Sequence, residues 1–203
     1  MKCCRPIRSC NYRSPATTQV IMIRTLDILF SLLGMICGIP VFLVVIIISL
    51  LDHGPPFFNQ IRIGKNQQPF KLVKFRTMAI GTQSVGTHLV DPSSITKLGR
   101  FLRKTKLDEL PQLFNVLMGQ MSLVGPRPCL PNQTELISER SQRDVFEVRP
   151  GITGLAQING VDMSTPRKLA RYDQLMIKRL NLTLYGNLIL STVLGKGSGD
   201  RIR

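Results

Sequence analysis

The chain has 203 residues, enough for one domain with a real core, and its 27 Lys and Arg against 12 Asp and Glu give a net charge of +15. That balance excludes cationic partners and points to nucleic acid, phosphorylated small molecules or acidic lipid. There is no Trp and little aromatic surface for base stacking, and the five Cys lack the spacing of a zinc site or a disulfide framework, so free thiols in a reducing, cytosol-facing protein are expected.

Residues 1–21 are polar and Cys-rich, without apolar period, and read as a disordered tail, with Met22 a natural start for a membrane helix. Between Asp27 and Asp52 no residue is charged. The 24 residues Ile28 to Leu51 would make a helix about 36 Å long, enough to cross a bilayer core. The run is too long for a signal peptide and too long for an ordinary core helix in a chain of this size. Pro40 stands in its middle beside Gly38, where a kink or break is expected. The flanks are basic on both sides, Arg5 to Arg24 before and Arg62 to Arg76 after, so both ends favour the cytoplasmic face. A hairpin broken at Pro40 over residues 22–51 meets both conditions, with a kinked spanning helix as the alternative. The remainder, 52–203, reads as one catalytic domain.

Pro55-Pro56 closes the membrane element. Phe57–Ile63 and Phe70–Phe75 read as two strands joined by the loop Gly64–Gln68. Residues 79–96 are Gly-, Ser- and Thr-rich and read as a loop. Leu98, Phe101 and Leu102 share a helical face against Arg100, Arg103 and Lys104, as in an amphipathic helix on a membrane surface or an ordinary solvated one. A second helix is expected from Asp108 to Leu117, capped by Asp108, with Pro111 in its first turn and Gly119 ending it. Pro131 to Val148 is helical in character, Arg149–Gly154 a turn, Pro166 to Leu180 a helix, and Leu182 to Leu194 a final helix or strand. The expected class is α/β, mostly α with a small β-hairpin.

Asp108 and Glu109 are adjacent acids in a neighbourhood of Arg100, Arg103, Lys104 and Lys106. A helix start and nearby cations favour an ionised carboxylate, which can attack as a nucleophile or bind Mg²⁺; Glu109 could hold the metal or manage protons. Alone, the pair reads equally as a helix cap and its neighbour. Arg127 lies between two prolines and Arg149 precedes Pro150-Gly151, and each offers a fork matched to phosphate oxygens. Lys74 and Arg76 alternate with Phe75 at a strand end and so share one face. Together these features imply a phosphate-rich soluble substrate, a divalent cation and a membrane-embedded acceptor.

Arg24–Asp27 with the Pro-broken apolar helix that follows, Lys74-Phe75-Arg76-Thr77-Met78, Leu107–Leu117, Met121–Pro128 and Arg149–Gly154 together resemble the bacterial sugar transferase family, the monotopic phosphoglycosyl transferases, from about Met22 to about Leu190. The resemblance implies a re-entrant membrane helix with interfacial amphipathic helices and a compact cytoplasmic domain at the bacterial inner membrane. It implies transfer of a sugar phosphate from a UDP-sugar to undecaprenyl phosphate. On that pattern Asp108 attacks the β-phosphate, UMP leaves, and the lipid phosphate takes the phosphosugar from Asp108. Mg²⁺ would sit near Asp108 and Glu109. Lys74, Arg103, Arg127 and Arg149 would handle phosphates, and Asp173 matches a downstream acid of the site. The chain departs from the pattern at Gln120, where the family commonly has an acid, and at Met176, Arg179 and Tyr185, where Tyr, Asn and Asp are usual.

Two other classes compete. A non-enzymatic basic membrane anchor explains the charge and the apolar run but leaves Asp108-Glu109 and Gly125–Pro128 unused. Nucleic-acid binding is permitted by charge but lacks a motif. A homodimer on the membrane surface is compatible with the sequence.

Overall fold

The computed structural model describes residues 17–52, 54–82, 92–195 and 197. The expected tail therefore lies outside the described residues up to position 16, as does the middle of the expected loop 79–96. The first helix starts earlier than expected, at Thr17. This helix, α1 (Thr17–Asp52), is continuous, with Pro40 inside it. The expected break at Pro40 is not seen. What keeps the helix intact is packing on both sides of the proline. Asp27, Ser31, Gly38, Val45 and Ser49 are buried along one stripe, while Pro40 and most of the leucines and isoleucines face outward. The stripe docks onto the domain from one end to the other. Arg24 donates from Nη1 to Val116 O (2.8 Å) and from Nη2 to Leu117 O (3.2 Å), and Val45 packs with Phe75 and Leu102. A helix that kept its apolar residues for a core would show the reverse, so the outward face is the part made for lipid.

The two expected strands are β1 (Phe57–Ile63) and β2 (Pro69–Phe75), paired antiparallel with Phe57 opposite Phe75. Asn66 and Gln67 take positive φ in the connecting turn. α2 (Lys97–Thr105) is capped by Thr96, whose hydroxyl accepts from Gly99 N at 2.9 Å. α3 (Gln112–Leu117) follows, and Gly119, at φ +80°, ends it as expected. A second, parallel pair lies outside the sequence-based expectations: β3 (Ser122–Val124) runs beside β4 (Gly151–Thr153). Strands of three residues leave no period to read. Only glycines allow this pair to come so close, since a Cβ on Gly151 would lie 2.0 Å from Gly125 N.

The rest is helical: α4 (Thr134–Ser141), the short α5 (Leu155–Ile158), α6 (Pro166–Arg179) and α7 (Leu182–Val193). Proline at the first position of α6 and the Asn181 cap of α7 set their starts, the latter accepting from Leu184 N at 2.7 Å. α7 resolves the helix-or-strand alternative as a helix. One core lies under α1 around Phe75 and Leu102, and another joins Val124, Met176, Tyr185 and Leu188. Met176 and Tyr185, two of the departures from the family pattern, are thus core residues. The Tyr185 hydroxyl donates to Asp27 Oδ1 at 2.9 Å, where Ser122 Oγ (3.0 Å) and Leu123 N (2.9 Å) also donate.

Candidate active site

Asp108 and Glu109 do not cap a helix. They sit in a 3₁₀ turn, Leu107–Glu109, between α2 and α3, and α3 begins only at Gln112. Two residues explain the difference. Lys106, at φ 59°, ends α2 in the left-handed region. Pro111 has no N–H to return to Leu107 O, and Leu110 N closes the turn instead at 3.2 Å. Three residues per turn bring Leu107 and Leu110 to the same side, where both pack into the cluster of Phe75, Leu102 and Val45. The turn is thereby anchored directly in the core that holds the membrane helix. Asp108 is buried, at 5% exposure, and Glu109 Oε1 accepts from Arg127 Nη2 at 3.0 Å.

The cations arrive from two neighbouring elements against which the turn packs, α2 and β2. Phe75 points into the core while Lys74 and Arg76 take the other face, each about 6 Å or less from the Phe58 ring (5.7 Å for Lys74 Nζ, 6.0 Å for the Arg76 guanidinium). Gly99 lets α2 lie on Thr77, since a Cβ there would meet Thr77 O at 2.0 Å. One turn later Arg103 Nε reaches Thr77 Oγ1 at 2.9 Å. Lys74, Arg76, Thr77 and Arg103 line one small pocket of ≈ 50 Å³. Arg103 Nη1 is buried with no acceptor among the described residues, a donor arrangement suited to a phosphate oxygen.

The other expected residues stand elsewhere. Arg149 donates from Nε to Gly119 O at 2.7 Å and lines a separate cavity of ≈ 400 Å³ with Arg24 and Lys65. Arg24 and Arg149 both serve the carbonyl end of α3. Asp173 does not face an opening. It is 2% exposed and lies against Arg140, which donates to its Oδ2 from Nε (3.0 Å) and Nη2 (2.7 Å). Burial pushes the Asp173 carboxyl up, and the Arg140 guanidinium opposes that shift. Gln120 Oε1 accepts from Asn115 Nδ2 at 2.7 Å. Sequence reasoning missed Asn115: its Oδ1 accepts from Val73 N (3.1 Å) and its Nδ2 donates to Lys71 O (2.8 Å), so it joins α3 to the edge of β2 as another strand would. The signal was an Asn between the apolar Phe114 and Val116 of a short helix. Beside the turn, Leu110, Pro111 and Phe114 form an apolar pocket of ≈ 230 Å³ with Met35 and Phe42 of α1.

Among the described residues no three His, Cys, Asp or Glu side chains converge on a metal site. Asp108 and Glu109 offer two acids adjacent in sequence, with Glu109 Oε1 held by Arg127 Nη2 at 3.0 Å. Mg²⁺ is commonly held by one or two carboxylates, with waters and substrate phosphates filling the rest of its shell.

Fold and site together define a domain docked along an apolar, lipid-facing helix, with a carboxylate pair framed by cations. The family model of bacterial sugar transferases matches residues 18–196, and the chain belongs to that family of transferases. It is 46% identical over 142 residues to the uncharacterized sugar transferase EpsL of Bacillus subtilis, covering 70% of each chain. It is 38% identical over 155 residues to the exopolysaccharide production protein ExoY of Sinorhizobium fredii, covering 68% of each. It is also 40% identical over 177 residues to the UDP-glucose:undecaprenyl-phosphate glucose-1-phosphate transferase of Klebsiella pneumoniae, covering 82% of this chain but 38% of that protein.

Proposed function

We propose that the protein transfers a sugar 1-phosphate from a UDP-sugar to undecaprenyl phosphate on the cytoplasmic face of the bacterial inner membrane, opening the assembly of a polysaccharide or related glycan. The observation that carries this reading is the Asp108-Glu109 turn, rooted in the cluster that holds the membrane helix and faced by Arg127. The name of the Klebsiella relative, a UDP-glucose:undecaprenyl-phosphate glucose-1-phosphate transferase, supports it. Both ends of α1 hold on to the same domain, which supports a helix whose two ends stay on one side of the bilayer rather than one that leaves the domain behind.

In the first step Asp108 attacks the β-phosphorus of the donor. A carboxylate O–P bond forms, the bond to the oxygen bridging the two phosphates breaks, and its electron pair leaves with UMP. In the second, a phosphate oxygen of the lipid attacks the same phosphorus and returns Asp108 to its carboxylate. Lys74, Arg76 and Arg103 meet the charge of the diphosphate, and Arg127 both orients Glu109 and faces the transferred phosphate. Asp108 and Glu109 would hold Mg²⁺, which when bound supplies charge neutralisation on the phosphates. The apolar pocket from Leu110 to Phe42 suits the first isoprene units of the acceptor.

The test is UMP release by the full chain from a panel of UDP-sugars without acceptor. A burst of about one equivalent per enzyme is expected, and none from Asp108→Asn. Turnover retained in Asp108→Asn would overturn the covalent role. A panel that gives no UMP at all, with or without polyprenyl phosphate, would favour the anchor reading.

A further inference from the structure

The loop that carries Arg127 has four consecutive carbonyls, and every one accepts a hydrogen bond from outside the loop. Pro126 O accepts from Gly151 N (2.9 Å), Arg127 O from Arg140 Nη1 (2.8 Å), Pro128 O from Arg62 Nη1 (3.0 Å) and Cys129 O from Ile63 N (2.9 Å). The donors come from β4, α4 and β1. Prolines at 126 and 128 fix two of the φ angles as well.

The two arginines are built alike. Arg140 is 1% exposed and Arg62 6%. Arg140 uses Nε and Nη2 to grip Asp173 Oδ2. Arg62 uses Nε and Nη2 to grip Gln60 Oε1, at 3.0 and 2.6 Å. In each case the bidentate grip fixes the plane of the guanidinium and leaves Nη1 aimed at a loop carbonyl. Burying two guanidiniums is expensive, and packed apolar side chains would fill the same space more cheaply. The return is a backbone held on both sides of the peptide that follows Arg127.

We propose that Arg140–Asp173 and Arg62–Gln60 are positioning pairs that aim Arg127 at Glu109 and at the transferred phosphate. Asp173 then acts on the reaction through Arg140 and Arg127, without touching substrate. A displacement of about 1 Å at a positioned group can cost up to roughly 10²-fold in rate, and loosening either clamp allows such a displacement.

The proposal rests on the phosphotransfer reading for its rate measurements, so the experiment has two arms. In the first, single-turnover UMP release is measured for Asp173→Asn, Arg127→Ala and the double variant. Asp173→Asn is expected to slow release roughly 10- to 100-fold. In the Arg127→Ala background it should add less than about twofold, because the group it aims is gone. Losses that multiply, or Asp173→Asn at the wild-type rate, would overturn the proposal. Should Asp173→Asn not fold, Gln60→Ala, which releases the other clamp, is expected to show the same non-additivity. In the second arm the Arg127 Nε–H resonance of detergent-solubilised protein, assigned by its loss in Arg127→Lys, is compared in wild type and Asp173→Asn. It should be protected from exchange in the first and broadened in the second; an unchanged signal would sink the idea. This arm needs no turnover, so a wild type that releases no UMP would count against the proposed function and leave the clamps to be judged separately.

Discussion

The carboxylates of this protein divide between two kinds of place. Asp27 and Asp173 are enclosed, and each has donors matched to it: Ser122, Leu123 N and Tyr185 for Asp27, Arg140 for Asp173. Asp108 and Glu109 sit on a tight turn between α2 and α3; Asp108 is nearly as buried, at 5% exposure, and Glu109 is held by Arg127 in a half-buried pair. The difference is set by backbone more than by side-chain type. An acid on a helix face that packs against other elements is surrounded by fixed donors and becomes architecture. An acid on a 3₁₀ turn whose flanking leucines take the core positions stays close to the cations of the elements beside it, so what sets Asp108 and Glu109 apart is the company of α2 and β2 and not greater exposure.

That division can be broken by substitution. Asp108→Asn is expected to lower phosphotransfer by at least about 10³-fold, roughly 4 kcal/mol of barrier, while the protein still melts within a few degrees of wild type. A comparable loss of stability would place Asp108 with the architectural acids. Asp27→Ala should do the opposite. It strands three donors in a buried site and should cost about 3 kcal/mol in a denaturation midpoint, whatever activity the folded fraction retains. A stable Asp27→Ala protein with no activity would move Asp27 to the functional side. Glu109→Gln keeps the shape but weakens the hold on Arg127, and a loss of about tenfold, near 1.4 kcal/mol, is expected in rate with little change in melting.

Much of the domain is legible in its sequence. The hairpin of β1 and β2, the helix at Pro166 and the glycine after α3 all rest on local signals: alternation, a proline at a helix start, a required positive φ. The β3–β4 pair has no local signal, because its existence depends on Gly125 and Gly151 meeting across 26 residues of chain. The same limit governs the site. Strand alternation is enough to put Lys74 and Arg76 on one face. The context of Asp108 reads as a helix cap; the left-handed Lys106 and the missing N–H of Pro111 turn it into a 3₁₀ turn. Arg149 and Asp173 carry the residue types of a phosphate site, but their partners Gly119 and Arg140 are tertiary neighbours that no local signal announces.

Tyr185 gives the finest cut between the two kinds of carboxylate site, because its partner is the architectural Asp27. Burial, with the Asp27 charge next in weight, pushes the Tyr185 hydroxyl well above its ordinary value of 10.0. A raised pKa in the folded state stabilises the protein in full below the unfolded value and is lost as pH rises past it. Wild type should therefore lose stability above about pH 10 more steeply than Tyr185→Phe, by up to about 1.4 kcal/mol per pH unit. Near pH 7 the hydrogen bond contributes in full. There Tyr185→Phe should be the weaker protein by about 1.5 kcal/mol, the worth of one buried hydrogen bond to a charged acceptor. Urea midpoints of both proteins from pH 8 to 11 would draw the two curves together. Parallel curves would mean that the Tyr185–Asp27 contact is open to water and that Asp27 is not the enclosed, architectural acid that its donors make it.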